Sequence, residues 1–188
     1  INVSCRTGET SDTPISISQA GVSTQTATIQ FIEALPITDV NVSLVLDHTY
    51  VGDLVLNLIS PSGTKVALIA IECDDLNNIN ATFDDNGVEI VCSGDPVISG
   101  TVKPIGDLSA FNGESPIGEW TLEIQDVAPG DGGTLREFSL EICVEGSFRP
   151  DEDGDGVFDD GDDLCLGTPA GVEVDVTGCP INRLPADN

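Results

Sequence analysis

Basic side chains are scarce in this 188-residue chain, which has six Lys or Arg against 33 Asp or Glu and a formal net charge of −27. Nucleic acid is disfavoured as a partner, because phosphate binding needs a basic surface. An anionic membrane surface is disfavoured for the same reason. Self-repulsion of this size opposes compaction unless cations neutralise part of it, and a divalent metal ion is the simplest candidate.

The sequence also lacks catalytic signatures, having no G-x-S-x-G motif and no H-E-x-x-H motif. His48 is the only histidine. Its neighbour Asp47 would point to the opposite face of a strand and could not orient it as in a hydrolase triad. We therefore assign His48 a structural role near a strand end and do not interpret the chain as an enzyme.

No transmembrane run, signal peptide or lipidation motif is present, and we interpret the chain as a piece of a longer exported protein without membrane insertion. Its six cysteines include no C-x-x-C pair. An even number of such cysteines is typical of disulfides formed in an oxidising compartment, so we expect a secreted or cell-surface location. The cysteine count alone leaves the pairing open.

Helical periodicity is missing too, and the dominant period from Ala27 to Val144 is two. Val40, Val42 and Leu44 alternate with polar residues, as they do in a strand with one buried face. Similar short segments recur between Gly- and Asn-containing turns, which predicts an all-β jelly roll or β-sandwich. The composition changes near Gly146, where we expect this domain to end.

The segment 151–163 is almost entirely acidic and glycine-rich, reading DEDGDGVFDDGDD. Its carboxylates fall at relative positions 1, 3, 5 and 9, with glycine at position 6, which is the spacing of a loop wrapped around Ca²⁺. The predicted ligands are Asp151, Asp153, Asp155, the Val157 carbonyl, Asp159, and Asp162 or Asp163. A disordered acidic linker is the alternative. A helix-flanked EF-hand is disfavoured, because Pro150 precedes the loop and no helical pattern follows it.

Residues 151–180 resemble a bacterial thrombospondin type 3 repeat, in which Asp-rich loops bind calcium and a cysteine pair pins the turn. The resemblance rests on the Asp-rich run followed by Cys165 and Cys179. One departure concerns the last ligand, since Asp162 and Asp163 both precede Leu164-Cys165. Either Asp can therefore occupy position 12.

A second resemblance covers about residues 14–144. The segments that carry it are His48–Leu54, Ser60–Thr64, Phe83–Asp85, Phe111–Glu114, Gly118–Leu122 and Gly132–Leu135. In this order they resemble the P domain, or P/Homo B domain, that follows the catalytic domain of proprotein convertases and many bacterial proteases. The resemblance implies a jelly-roll β-sandwich that stabilises or accompanies a neighbouring catalytic domain.

The P-domain resemblance also suggests how the cysteines pair. Cys5 lies just before the first expected strand and Cys143 in the last, and the first and last strands of such a fold are often neighbours. The expected pairs are Cys5–Cys143, Cys73–Cys92 across a long insertion, and Cys165–Cys179 within the repeat.

A second calcium site within the sandwich is a further hypothesis. The candidate carboxylates sit at expected strand ends or in loops and are, in decreasing order of preference, Asp53, Asp47, Asp85, Asp126, Asp84 and Asp75. The alternative is that these side chains cap turns and face solvent.

The sequence thus predicts a P-domain-like sandwich at residues 1–146 and a linker at 147–150. A thrombospondin type 3-like calcium repeat is expected at 151–180, and a tail or linker to a further domain at 181–188. The expected function is a non-catalytic, calcium-binding accessory domain of a secreted subtilisin-like or zinc metalloprotease, with the upstream catalytic domain as partner. The alternative is an adhesion module that binds polysaccharide, a cell surface or a protein substrate, for which Tyr50, Phe111 and Phe148 are the candidate exposed aromatics.

Overall fold

The computed structural model describes residues 2–181, within which ten β-strands and two short 3₁₀ helices form. The strands are β1 (Val3–Glu9), β2 (Ile15–Ile17), β3 (Ser23–Phe31), β4 (Ile37–His48), β5 (Leu54–Ile59), β6 (Lys65–Ala70), β7 (Ile79–Val88), β8 (Ile98–Val102), β9 (Gly118–Asp126) and β10 (Gly133–Glu145). The 3₁₀ helices span Val51–Asp53 and Leu108–Phe111. The predicted all-β class is confirmed.

The strands described between residues 2 and 181 form two sheets that pack as a sandwich. One has the order β1-β10-β4-β7-β8, with β2 also paired to β10, and the other has the order β3-β9-β5-β6. Pairing is antiparallel except between β7 and β8. Because β1 lies directly beside β10, both ends of the domain meet at one edge of the larger sheet.

The core consists of the inward residues of both sheets, as the alternating sequence predicts. Val42 and Leu46 of β4 are fully buried, and so is Trp120 of β9. The Trp120 ring meets Phe111 edge-on at 5.1 Å between centroids, and its Nε1 donates to the Pro116 carbonyl at 2.9 Å. Phe111 is therefore wrong as an exposed binding aromatic, because it is completely buried against Trp120.

All six cysteines are disulfide-bonded, in the pairs Cys5–Cys143, Cys73–Cys92 and Cys165–Cys179. The first two are the pairs expected beside the P-domain resemblance, and the third is the pair expected within the thrombospondin type 3-like repeat. Cys5 differs from expectation in one respect, since it lies inside β1 and not before it. There it stands directly opposite Cys143 in the antiparallel register, so the bond staples the first strand to the last.

Beyond β10, the described residues 147–181 contain no strand or helix and are held by turns and isolated bridges. One bridge pairs Pro150 with Glu33, just after β3, and another pairs Val174 with Pro180. The chain therefore returns to the sandwich before it enters the acidic loop. Within the part of the chain that the structure describes, no helix is both long and apolar enough to cross a membrane.

Candidate metal centre

Asp151 opens the acidic loop and is only 1 % exposed. Its carboxylate accepts the backbone N–H groups of Gly154 at 2.9 Å and Gly156 at 3.1 Å, so the chain curls around it. Both glycines have positive φ, at 73° and 95°, which other residues adopt only with strain. Burial raises the pKa of Asp151, and the neighbouring carboxylates Asp155 and Asp153 raise it further. The two hydrogen bonds lower this pKa, but the net shift is a rise.

Asp153 links the acidic loop to the disulfide-closed loop 165–179. Its Oδ2 accepts the N–H groups of Gly167 and Thr168, each at 2.6 Å. Burial alone would raise the pKa of Asp153, but hydrogen bonds from the Gly167, Asp155 and Thr168 backbones outweigh it and lower the pKa. The second loop is thereby fixed against a carboxylate that stays ionised.

Three further carboxylates are each oriented by one of their oxygens. Asp155 Oδ1 accepts the Val157 N–H at 2.8 Å. Asp159 Oδ2 accepts the Glu152 N–H at 2.8 Å, and Asp163 Oδ1 accepts the Cys165 N–H at 2.7 Å. The Asp155 and Asp163 bonds are Asx-type, to the N–H two residues on, and the Asp159 bond reaches back across the loop. Each bond fixes the direction of its side chain, so the second oxygen of each carboxylate is also fixed in position.

Those second oxygens, Asp155 Oδ2, Asp159 Oδ1 and Asp163 Oδ2, are buried and have no hydrogen-bond partner among residues 2–181. Buried anionic oxygens without partners are costly, and native proteins seldom leave them so. Only five side-chain atoms in the described chain are of this kind, and three of them lie here. A bound cation would supply the missing partner.

The carboxylates assemble into two groups that share Asp153. In one group the ligand atoms of Asp151, Asp153 and Asp155 lie within 4.8 Å of one another, and in the other those of Asp153, Asp159 and Asp163 do. An all-oxygen, carboxylate-rich set of this kind suits a hard divalent cation such as Ca²⁺, which takes six to eight oxygens at about 2.3–2.6 Å.

The structure distinguishes the two candidates for the last ligand. Asp163 is 6 % exposed and belongs to the second carboxylate group. The Asp162 side chain is 67 % exposed and forms an ion pair with Arg149 at 2.9 Å. The geometry therefore favours Asp163. Val157 lies beside the group through its N–H bond to Asp155, and its carbonyl as a ligand remains a prediction.

Sequence reasoning missed Gly178, which is buried against the carboxylates from the far side of the second loop. A Cβ at this position would clash with the Asp163 carboxylate and lie 3.0 Å from Asp155 Oδ2. Its φ is 74°, and its carbonyl lies 2.8 Å from Thr168 Oγ1. A glycine directly before Cys179 was the available signal, but its contact with residues so far upstream cannot be read from spacing.

The candidates for a second site within the sandwich are dispersed. Asp47 forms an ion pair with Arg136. Asp85 accepts the N–H groups of Leu108 at 2.9 Å and Ser109 at 2.8 Å at the start of the second 3₁₀ helix. Asp84 accepts the N–H of Asn86, two residues on, at 2.8 Å. The structure thus gives these three carboxylates separate partners and does not bring them together.

The other three candidates lie near the first 3₁₀ helix. Asp126 is fully buried, and its Oδ2 lies 3.2 Å from Nε2 of the buried His48, in keeping with a structural role for that histidine. Burial raises the pKa of Asp53, and the negative charge of Asp126 is the next largest cause of the rise. Burial raises the pKa of Tyr50, and the negative charge of Asp75 is the next largest cause of that rise. Metal binding here remains a prediction.

The chain is similar in part to known proteins. The family model described as "Proprotein convertase P-domain" matches residues 37–142. A "Calcium-dependent protease" of Trichormus variabilis is 31 % identical over 110 residues, which cover 57 % of this chain and 14 % of that protein. The "Aeromonas extracellular serine protease" of Aeromonas sobria is 29 % identical over 119 residues, which cover 61 % of this chain and 17 % of that protein. The matched region is therefore a small part of each relative.

Among solved structures, the chain is similar to the Aeromonas sobria serine protease crystallised in complex with the chaperone ORF2. The TM-score is 0.51 at 19 % sequence identity, and the match covers 78 % of this chain and 28 % of the protease chain. At this identity the likeness concerns the fold alone.

Proposed function

The chain belongs to the proprotein convertase P-domain family, whose model covers more than half of it, and we propose from this membership that it is a calcium-binding accessory module of a secreted protease. The P domain is a non-catalytic domain of proteases. Accordingly, the module's contribution is to hold and stabilise a catalytic domain of the same polypeptide, of the subtilisin-like or zinc metalloprotease class.

Calcium is assigned to the acidic loop on one observation above all. Three carboxylate oxygens in two adjoining carboxylate groups, which share Asp153, are buried without a hydrogen-bond partner in the described residues. The residues that would hold the ion are Asp151, Asp153, Asp155, Asp159 and Asp163. Together with the Cys165–Cys179 bond, they form a unit of the thrombospondin type 3 kind, which would fold around calcium and not around an apolar core.

Two features support an extracellular setting, the disulfides and the calcium affinity expected of such a site. Disulfides persist in oxidising compartments, and all six cysteines are paired here. Extracellular calcium modules have dissociation constants of about 10⁻⁴–10⁻³ M, which suits a site filled outside the cell. One relative is named an extracellular protease and another a calcium-dependent one.

Isothermal titration of the metal-stripped chain with CaCl₂ tests the proposal. We expect binding at or below about 10⁻³ M. Asp155→Asn should weaken it by roughly tenfold or more, because it removes the negative charge of a carboxylate whose Oδ2 has no hydrogen-bond partner between residues 2 and 181. Asp12→Asn is the control, since the partners of Asp12 among residues 2–181 are Thr10 and Thr28, away from the acidic loop. Absence of calcium binding by the wild type, or an equal loss in both variants, would reject the assignment.

A substrate-binding module is the second candidate, and one feature favours it. An open groove of about 480 Å³ crosses the outer face of the larger sheet. Its lining includes five hydroxyl side chains, those of Ser43, Thr82, Ser99, Thr101 and Ser139. Retention of the chain on insoluble polysaccharide, lost in a Ser99→Val/Thr101→Val variant, would support this role.

A further inference from the structure

We propose that calcium bound in the acidic loop stabilises the sandwich itself, through a junction formed by Arg6, Glu33, Phe148 and Pro150. The inference rests on the proposed function, because it requires calcium in the loop. It goes further in naming the contacts through which the ion would act on the rest of the molecule.

The backbone part of the junction joins the first candidate ligand to the end of β3. The Asp151 N–H donates to the Ile32 carbonyl at 3.0 Å, and Pro150 forms a β-bridge with Glu33. On its other side, the Pro150 carbonyl accepts the N–H of Asp159 at 2.9 Å. Pro150 thus lies between the sandwich and two carboxylates of the metal centre, and ordering those carboxylates also orders this bridge.

The side-chain part holds the same segment against β1. Glu33 is only 2 % exposed and forms an ion pair with Arg6 of β1. The Arg6 guanidinium lies over the Phe148 ring, 5.5 Å from its centroid, and Phe148 packs against the core. A buried carboxylate is tolerated only while its cation stays in place. The linker residue Phe148 therefore helps to keep Arg6 on Glu33, and so couples the linker to both edge strands.

The coupling has a measurable consequence. A ligand that binds only the folded state stabilises every element that unfolds together with its site. If the loop were an independent appendage, calcium would stabilise the loop alone. If the junction couples the two, calcium raises the unfolding temperature of the sandwich as well.

Trp120 of β9 provides a reporter in the sandwich, because it is the only tryptophan, is fully buried, and stands opposite Ile29 of the neighbouring strand β3. Unfolding is followed by Trp120 fluorescence in EDTA and in Ca²⁺ at about 100 times the measured Kd. We expect calcium to raise this transition by roughly 5–10 °C in the wild type.

The junction variant combines Arg6→Met, Glu33→Gln and Phe148→Leu, which removes the ion pair without leaving one charge buried. We expect it to retain calcium binding within about threefold of wild type but to lose at least half of the calcium-dependent shift of the Trp120 transition. The matched control, Arg136→Met with Asp47→Asn, removes the β10–β4 ion pair and should keep the full shift. If the junction side chains contributed to stability alone, the Trp120 transition temperature of the junction variant would fall equally with and without calcium.

The outcomes separate the two proposals. Calcium binding by titration without a shift of the wild-type Trp120 transition would overturn the junction but leave the calcium site intact. No calcium binding would overturn both, and a full shift in the junction variant would overturn the role of these side chains. Should that variant not fold, amide exchange of wild-type β1 and β3 decides. Slower exchange with calcium supports the coupling, and unchanged exchange contradicts it.

Discussion

Substituting Gly178 by alanine should weaken calcium binding, although this residue contributes no side chain to the site. Gly178 adopts φ 74° and lies against the Asp163 and Asp155 carboxylates. The added methyl group would overlap the Asp163 carboxylate and approach Asp155 Oδ2 to 3.0 Å. Either the carboxylates or the loop that carries residue 178 must then move.

Two separable penalties are expected. The left-handed backbone conformation costs an alanine roughly 1–2 kcal/mol relative to glycine, and this lowers the stability of the loop. Displacing two oriented carboxylates is comparable to disturbing the groups that orient metal ligands, which typically costs about 10–100-fold in affinity. We therefore expect the Kd for calcium to rise by one to two orders of magnitude.

Gly171→Ala is the matched control for the first penalty. Gly171 belongs to the same disulfide-closed loop and has a similar φ of 85°, but a Cβ there would meet no heavy atom of the described residues within 4 Å. Calorimetric titration of both variants isolates the steric effect on the carboxylates. Equal calcium affinities for the two variants would refute the claim that residue 178 closes the metal centre.

Three further outcomes follow from the same structure. Asp163→Asn should weaken calcium binding by roughly tenfold or more in titration. Asp162→Asn removes an exposed ion pair with Arg149 and should change the affinity less than about threefold. The reverse order of effects would assign the last ligand to Asp162. Replacing Cys165 and Cys179 by alanine should also lower calcium affinity. In the chain-entropy model, a disulfide between residues 14 apart lowers the free energy of ordering the loop by about 3 kcal/mol. Unchanged affinity would show that the loop is ordered without the disulfide. Burial would raise the pKa of Glu114, but hydrogen bonds from Ser62, Thr64 and Ser60 lower it below 4.5. The stabilisation from this shift is therefore present above the ordinary pKa of a glutamate and is lost as pH falls through the lowered pKa. Glu114→Gln should flatten the dependence of the urea midpoint on pH in that acidic range, and an identical slope would contradict the assignment.

The sandwich could be predicted from the sequence because its information is local. Alternation in β4 and β9 places Val42, Leu46 and Trp120 on inward faces whatever the strand order. The order itself did not follow from periodicity, and the P-domain resemblance indicated only that the first and last strands are neighbours, as β1 and β10 are. Phe111 escaped the pattern because it lies in a 3₁₀ helix outside any strand, so its burial depends on Trp120 from a distant strand.

The acidic loop was likewise visible, since its ligand spacing is a property of one continuous segment. The choice between Asp162 and Asp163 was not, because it depends on Arg149 drawing Asp162 to the surface. The contacts of Asp47 were hidden for a similar reason, as its ion pair with Arg136 requires the register of β4 against β10. Spacing within a segment predicts what that segment can hold, and contacts between segments decide which of its residues do so.

The most direct measurement of the central claim is a crystal structure of the chain grown with excess CaCl₂, with the ion identified by its anomalous signal. We predict calcium in the loop bound through Asp155 Oδ2 in the first carboxylate group and through Asp159 Oδ1 and Asp163 Oδ2 in the second, at about 2.3–2.6 Å. An ordered loop over residues 151–163 whose three oxygens contact only water or protein donors would contradict it.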